Sequence, residues 1–376
     1  MTDGTTTEWA GPARFLPPHE PVKRADGALH YSGLTYAVAF GYRPLQLDVW
    51  VPAGEGPAPL VVWVHGGGFM FGDRRYLPET LRPDQVFDAL LDAGLAVATI
   101  DYRHSLEAPF PAQLHDAKAA VRYLRAFADE LGISTTRIGA MGESAGGHLV
   151  AALGLTAHRA DLEGTHGVVG PSSAVDVVVD WYGLADLTTM PRHALPPEIA
   201  AKLPPELATP PEDNLTRGLE GAALADASPI THVTRGAPPF LLVHGTADWL
   251  VPYAQSEQLH AALTAAGVQS RLVPVEGAQH DKVVRDTIEL ASYLGVPTVV
   301  MMSGLPGARG DSTPNWITTS WPPETLKVLD YQWNEVAIPY WRELAALAVV
   351  TGQVVHAARR LTGGWPPRAE WLRAVL

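Results

Sequence analysis

The chain has 376 residues, of which 47% are hydrophobic and 18% charged, a globular composition that excludes a disordered chain. It contains no cysteine, which excludes disulfides, thiolate metal sites and cysteine nucleophiles. A formal net charge of −13 argues against a nucleic-acid partner, and no apolar run approaches the roughly 20 residues that span a membrane. The first residues show no signal-peptide pattern, so we expect a cytoplasmic protein.

Short apolar runs alternate with longer helical patterns after an irregular, Gly-, Pro- and Thr-rich lead-in at residues 1–40. The sequence predicts strands at 46–52, 60–65, 96–102, 137–142, 175–180, 239–244 and 270–275. It predicts helices at 111–131, 145–157 and 253–266. Strands that alternate with helices indicate an α/β protein, with a mostly parallel sheet covered on both faces.

A proline-dense stretch at 187–234 follows the fifth predicted strand. It is too long for a plain connection and too often interrupted for long helices. We interpret it as an insertion that covers a site at the carboxyl ends of the strands, which makes it a small lid.

The pentapeptide Gly142–Gly146, G-E-S-A-G, matches the pattern G-x-S-x-G. It lies between a predicted strand and a predicted helix, which is the context that this motif requires. Such a sharp turn exposes the hydroxyl of Ser144 at the amino end of a helix, where developing negative charge is favoured. The motif therefore predicts Ser144 as a nucleophile.

A serine nucleophile needs a histidine base that is oriented by a carboxylate, and both are expected on loops that follow strands. Asp248 follows the predicted strand at 239–244, and His280 follows the strand at 270–275. Asp186 is the rival acid. His244 and His148 are interpreted as structural residues, one behind the acid loop and the other beside the serine turn.

Three glycines after His65 supply the remaining part of the site. Their small size lets backbone amides approach a substrate carbonyl and hold the oxyanion. The predicted donors are the amides of Gly67, Gly68 and Ala145, while His65 is expected to anchor the loop. Aromatic residues near the strand ends predict an apolar substrate pocket, and those expected to contact substrate are Phe69, Trp181 and Trp249.

Several segments resemble the α/β-hydrolase esterases of the hormone-sensitive-lipase type, and within them the bacterial feruloyl-esterase-like group. The likeness rests on HGGGF at 65–69, DYR at 101–103, APFPAQLHDAKAAVRYLR at 108–125, RIGAMGESAGGHL at 137–149, ASPI at 227–230 and PPFLLVHGTAD at 238–248. The resemblance implies an α/β-hydrolase fold. It also implies a triad and an oxyanion hole, formed by Ser144, Asp248 and His280 and by Gly67, Gly68 and Ala145.

Residues 281–350 resemble part of a TIM-barrel sugar-phosphate isomerase or epimerase, for example in LGVPTVVMMSGLPG and YQWNEVAIPYWRELA. Two β/α units at most are present and cannot close a barrel, so no isomerase activity is expected. A helical pattern at 283–294 predicts the last helix of the hydrolase. The sequence thus predicts a hydrolase domain at 1–295 and a C-terminal appendage at 296–376, which folds over the hydrolase, forms a homodimer contact or walls the pocket.

Together these residues predict a serine carboxylesterase that hydrolyses short-chain acyl or small aryl esters through an acyl-enzyme. Its partner is a small-molecule ester, and neither a metal nor an organic cofactor is required. An arylformamidase or another amidase with the same triad is the neighbouring alternative, which ester and formamide substrates would separate. A non-catalytic interaction protein on a hydrolase scaffold is the alternative from another class, and it predicts no labelling by a fluorophosphonate.

Overall fold

The computed structural model describes residues 13–38, 41–78, 83–191 and 209–280, together with four short strands beyond residue 297. Contacts between residues divide the chain into two units, Met1–His280 and Asp281–Leu376. All elements that carry the predicted site belong to the first unit. The predicted helix at 283–294 lies outside the described residues, and so do residues 192–208 of the predicted lid.

The described part of the first unit contains a nine-stranded sheet. Its strands are β1 (Val22–Lys23), β2 (Leu29–Ala37), β3 (Leu45–Val51), β4 (Ala58–Val64), β5 (Ala96–Ile100), β6 (Ile133–Glu143), β7 (Val177–Trp181), β8 (Phe240–Gly245) and β9 (Ser270–Val275). They lie in the order β1-β2-β3-β5-β4-β6-β7-β8-β9. The pairs from β1 to β5 are antiparallel, and all later pairs are parallel. The predicted mostly parallel sheet is confirmed.

Helices follow most of the parallel strands. They are α1 (Pro83–Asp92), α2 (Ala112–Ala126), α3 (Ala128–Leu131), α4 (Ala145–Leu155), α5 (Pro211–Leu215), α6 (Ala222–Asp226) and α7 (Ala254–Ala265), with 3-10 turns at Ala160–Leu162 and Pro229–His232. The predicted helix at 111–131 is therefore divided into α2 and α3. Among the described helices, none is long and apolar enough to cross a membrane.

Alternating side chains of β4 show how the sheet is covered on two faces. Val62 and Val64 are fully buried and belong to one apolar cluster with Leu149 of α4. Trp63 points to the opposite face, where its ring lies edge-on to Phe87 of α1 with 5.8 Å between the ring centroids. Each such buried side chain contributes about 1.5–3 kcal/mol to the stability of the sandwich.

Strands β1 and β2 differ from the sequence-based prediction of an irregular lead-in at residues 1–40. Strand β2 has nine residues and pairs antiparallel with β3. Its apolar alternation is broken at Gly33, which has a φ of +75°, and the register shifts between Tyr31 and Leu34. A bulge of this kind hides a period-two pattern from inspection of the sequence.

Register places the ends of four strands, β6 to β9, at one edge of the sheet. Glu143 at the end of β6 is paired with Trp181 of β7, Trp181 is paired with Val243 of β8, and Gly245 is paired with Val275 of β9. The loops after β6, β8 and β9 therefore leave the sheet side by side. These are the loops on which the sequence predicts the nucleophile, the acid and the base.

The second unit is described only as backbone strands. Strand β10 (Thr298–Met301) pairs in parallel with β13 (Val354–Ala357). Strand β11 (Leu305–Pro306) pairs antiparallel with β12 (Pro314–Asn315). These short pairs do not test the resemblance to a barrel enzyme, which stays a prediction.

Candidate active site

The turn between β6 and α4 holds Ser144 in a strained conformation, with φ of 53° and ψ of −118°. A Cβ on Gly142 would lie 2.6 Å from the carbonyl of Gly146. A Cβ on Gly146 would overlap the carbonyl oxygen of Val64 in β4. Only glycine fits at both positions, because no rearrangement of a flexible side chain could relieve these contacts with backbone. The glycines of the motif thus let the turn pack against the central strand.

Three side chains from the three loops form one hydrogen-bonded series. The Oγ of Ser144 lies 2.9 Å from Nε2 of His280. The Nδ1 of the same histidine lies 2.7 Å from Oδ2 of Asp248. The side chain of Asp248 is fully buried and that of His280 is 13% exposed. The structure therefore brings together the three residues that the sequence predicts as a triad.

Four donors surround the carboxylate of Asp248. The backbone N–H groups of Leu250 and Val251 donate to Oδ1 at 2.9 Å each. His280 and, at 3.3 Å, Nε2 of His244 reach Oδ2. Burial alone would raise the pKa of Asp248, but the hydrogen bonds from the two histidines, the charge of His280 and the N–H of Val251 together lower its pKa. The carboxylate is thus ionised at neutral pH and can orient the imidazole of His280.

His244 is buried behind the acid loop, where the sequence predicts it. Its Nε2 lies 2.8 Å from the carbonyl oxygen of Val251, which can only accept. This nitrogen must therefore carry the proton, and Nδ1 accepts from the hydroxyl of Ser256 at 2.7 Å. The same N–H faces the carboxylate of Asp248, so His244 fixes both the loop and its acid.

The glycine loop after β4 contains two glycines in the left-handed region of backbone conformation. Gly67 and Gly68 have φ angles of +96° and +59°, and the carbonyl of Gly67 accepts from the N–H groups of Met70 and Phe71. In the part of the chain that the structure describes, the amides of Gly67, Gly68 and Ala145 donate to no acceptor. Unpaired amides at a loop and a helix start are suited to bind an oxyanion.

Glu143 anchors this loop, a role that the sequence alone does not indicate. Its carboxylate accepts the N–H of Gly66 at 2.5 Å, and only 3% of the residue is exposed. Burial raises the pKa of Glu143 to about 8, and the hydrogen bond from Gly66 opposes this only in part. The carboxyl is therefore mostly neutral at pH 7 and does not place a negative charge beside the amides that the sequence predicts as oxyanion donors.

Tyr102 and His65 support the loop from behind. The hydroxyl of Tyr102 donates towards the carbonyls of His65 and Gly66 at 3.0 and 3.2 Å. The imidazole of His65 stacks on the Tyr102 ring, with 4.4 Å between the centroids, and its Nδ1 lies 2.8 Å from the carbonyl of Gly66. Burial lowers the pKa of His65 to about 4, so it is neutral and its Nδ1–H donates. This agrees with an anchoring role.

The substitution Glu143→Gln tests the raised pKa of Glu143 through the pH dependence of the free energy of unfolding. The folded protein holds the Glu143 proton between the ordinary pKa of 4.5 and about 8, so wild-type stability falls as pH rises through this range. Glu143→Gln does not titrate, and its free energy of unfolding relative to wild type should rise by up to about 5 kcal/mol from pH 4.5 to 8. Urea unfolding at both ends of the range measures the difference. Glu130→Gln, at an exposed glutamate, is the control, and a pH-independent difference for Glu143→Gln would contradict the expectation.

The three predicted substrate contacts lie in different surroundings. Trp249 is 59% exposed at the start of the acid loop. Phe69 is 1% exposed and lies edge-on to His148, with 5.2 Å between the ring centroids. Trp181 is 4% exposed and lies edge-on to Trp63 inside the sheet sandwich. The structure thus buries two of the three rings, whereas the sequence predicted that all three contact substrate.

The other polar residues considered from the sequence, Asp186 and His148, do not belong to the hydrogen-bonded series of Ser144, His280 and Asp248. Asp186 accepts from the N–H and the hydroxyl of Thr188 at 2.9 and 2.6 Å, which closes its own turn. His148 is fully buried, its Nδ1 lies 2.9 Å from the carbonyl of Leu184, and burial lowers its pKa to about 4. Across the described residues, no group of three or more His, Asp or Glu side chains is arranged to hold a metal ion.

The fold and the geometry of the site together place this protein in the α/β-hydrolase class. Solved structures with this fold are similar to the chain. A truncated carbohydrate esterase from gut microbiota has 26% identity and a TM-score of 0.56, over 74% of this chain and 98% of that one. A propionate-bound structure of Est2, a thermophilic esterase from Thermogutta terrifontis, has 28% identity and a TM-score of 0.54, over 70% and 93%.

Sequence comparison shows the family to which the chain belongs. The family model named BD-FAE matches residues 47–263, and the chain belongs to this family. The esterase LipC of Mycobacterium tuberculosis is 31% identical over 292 residues, which are 74% of this chain. The chain spans 66% of the length of LipC.

Proposed function

We propose that the protein is a carboxylic ester hydrolase that forms an acyl-enzyme on Ser144. The observation that carries the proposal is the continuous series of hydrogen bonds from Ser144 through His280 to Asp248, at 2.9 and 2.7 Å. Unpaired amides beside the serine support the same reaction. Family membership and the similarity to LipC and Est2, which are named esterases, add independent support.

Acylation begins when the Oγ of Ser144 attacks the ester carbonyl and Nε2 of His280 takes the hydroxyl proton. The carboxylate of Asp248 keeps the Nδ1 proton in place and stabilises the imidazolium that forms. The carbonyl oxygen becomes negatively charged and is bound by the amides of Gly67, Gly68 and Ala145. Preorganised donors of this kind commonly contribute about 3–4 kcal/mol each to the barrier reduction.

Collapse of the tetrahedral intermediate breaks the bond to the leaving alcohol. His280 gives its Nε2 proton to the departing oxygen, and the acyl group remains on Ser144. A water molecule then attacks the acyl-enzyme while His280 takes one of its protons. His280 returns this proton to Oγ of Ser144 as the bond to the acyl group breaks, and the carboxylic acid leaves. Every proton is thus carried by one imidazole, and no further acid or base is needed.

Short-chain acyl esters and small aryl esters are the proposed substrates. The buried rings of Phe69 and Trp181 leave Trp249 as the exposed aromatic candidate for an apolar contact. The segment after residue 208 returns to the glycine loop, where Asn214 Nδ2 lies 3.2 Å from the sulfur of Met70. A lid segment so close to the proposed oxyanion site favours small acyl groups, and Est2 is a neighbour that binds propionate.

A panel of p-nitrophenyl esters from acetate to decanoate, with methyl ferulate and formanilide, tests the proposal on the purified full chain. We expect the highest kcat/KM for the short acyl chains and stoichiometric labelling by a fluorophosphonate probe. Faster cleavage of formanilide than of every ester would instead assign an amidase. Absence of both turnover and labelling would assign an interaction protein and contradict the proposal.

We also propose that the hydrolase domain extends to about residue 295, with 296–376 as an appendage that is no independent enzyme. The boundary near 295 is supported by the helical pattern at 283–294, which suits the last helix of the hydrolase, whereas the division by contacts falls earlier, after His280. The homodimer contact and the cytoplasmic location stay predictions.

A further inference from the structure

Three residues other than glycine have a positive φ in the described part of the chain: Phe69, Ser144 and Tyr182. An L-residue in this region is strained, and such strain is found mainly at functional sites. Phe69 belongs to the glycine loop and Ser144 is the proposed nucleophile. Tyr182, with a φ of +44°, has no role in the mechanism described above.

The peptide group before Tyr182 joins two parts of the site. The carbonyl of Trp181 accepts the N–H of Ser144 at 2.8 Å, and the N–H of Tyr182 donates to Val243 of β8 at the same distance. The next amide, that of Gly183, donates to Oδ1 of Asp180 at 2.9 Å. The turn is therefore tied to the nucleophile and to the strand that leads to Asp248.

The side chain of Tyr182 reaches the third member of the series. Its ring lies 4.8 Å from that of His280, centroid to centroid, at an interplanar angle of 67°. Only 9% of Tyr182 is exposed. Edge-to-face contacts of this geometry are favourable beyond the burial of apolar area, because the ring edge of one partner faces the π-electrons of the other. One turn thus contacts Ser144, β8 and His280.

An aromatic contact on one side of the His280 ring can restrict the orientation of the imidazole during the reaction. The hydrogen bond between Nε2 and Ser144 is lost each time the proton moves on to the leaving group. The bond from Nδ1 to Asp248 remains, but a single hydrogen bond leaves the imidazole free to turn about the line that joins the two atoms. An aromatic ring packed on its flank removes this freedom.

We propose that Tyr182 is a positioning residue that keeps the imidazole of His280 aligned between Asp248 and Ser144 through acylation and deacylation. The positive φ turns the Tyr182 ring towards His280, while the ring of Trp181 follows the strand to the interior. Glycine would adopt this backbone without strain, so the strained tyrosine is explained by what its ring contacts. This inference rests on the proposed ester hydrolysis.

Two substitutions at Tyr182 test the role of the ring. Tyr182→Leu keeps bulk but removes the aromatic ring, and it should lower kcat for p-nitrophenyl acetate by about 10- to 100-fold. KM should stay within about threefold of wild type, because the lost contact is with His280 rather than with substrate. Tyr182→Phe retains the ring and should keep kcat within about twofold.

Two further variants serve as controls for effects on folding. Tyr182→Gly removes the ring and the backbone strain together, and it should be slow although its backbone is relaxed. Tyr31→Leu changes a tyrosine that is 5% exposed in β2, and it should lower Tm while kcat stays at the wild-type value. The rate of labelling at Ser144 by a fluorophosphonate should fall in parallel with kcat in the Leu and Gly variants alone.

Wild-type kcat in both the Leu and Gly variants would overturn the inference and leave the proposed function intact. A Phe variant as slow as the Leu variant would overturn it too, since the hydroxyl rather than the ring would then be required. A wild-type protein that neither turns over nor reacts with the probe would overturn the proposed function first.

Discussion

Replacing Ser144 with alanine is expected to lower kcat for p-nitrophenyl acetate by about 10⁵-fold, because the acyl-enzyme can no longer form. The three amides that we propose as oxyanion donors should stay in place in this variant. KM should therefore change little, and a small rate above that of water should persist. Steady-state kinetics measures both quantities, and intact-mass spectrometry should show that the fluorophosphonate adduct is lost.

A second serine–histidine pair offers a matched control. Ser270, at the start of β9, has its Oγ 2.8 Å from Nδ1 of His260. This serine has a histidine partner, but it lies in a regular strand rather than in a strained turn at the start of a helix. Ser270→Ala should keep full activity and labelling. Wild-type turnover in Ser144→Ala would show that the nucleophile lies elsewhere.

Asparagine in place of Asp248 should lower kcat by about 10⁴-fold while the fold is retained. The amide oxygen of asparagine would take the Oδ1 position, since the N–H groups of Leu250 and Val251 require an acceptor there. Its NH₂ group would then face His280 and force Nδ1 to act as an acceptor. The ring proton would move to Nε2, where it prevents His280 from accepting the proton of Ser144.

Asp186→Asn is the control for this variant, because the carboxylate of Asp186 accepts from the N–H and the hydroxyl of Thr188 in its own turn and takes no part in the series from Ser144 to Asp248. It should keep kcat near the wild-type value. A loss of activity in Asp186→Asn with retention in Asp248→Asn would reverse the assignment of the acid. Unfolding temperatures of both variants separate a loss of chemistry from a loss of structure.

The sequence was informative wherever a motif and its context are local. Alternation of apolar runs with helical patterns predicted the sheet and its parallel half, and the turn at Ser144 was recognised from five consecutive residues. Asp248 and His280 could be proposed because each follows a strand by a few residues. Adjacent parallel strands then bring their carboxyl ends together without further information.

Orientation at strand ends could not be predicted in the same way. A shift of one residue moves a side chain to the other face of a sheet. Trp181 was therefore expected at the substrate, although it is the last residue of β7 and its ring lies in the interior. Its neighbour Tyr182 leaves the strand with a positive φ, which no periodic pattern indicates. Glu143 was missed because the motif leaves its position unspecified.

The location of β9 has a consequence for how the protein would lose activity on heating. In the described part of the chain β9 pairs only with β8 and lies at the end of the sheet, and most of its residues are incompletely buried. His280 follows this strand directly. Peripheral strands open with a lower free energy than the sheet centre. Fraying of β9 would thus separate the imidazole from Ser144 while the central strands remain native, and inactivation would precede global unfolding.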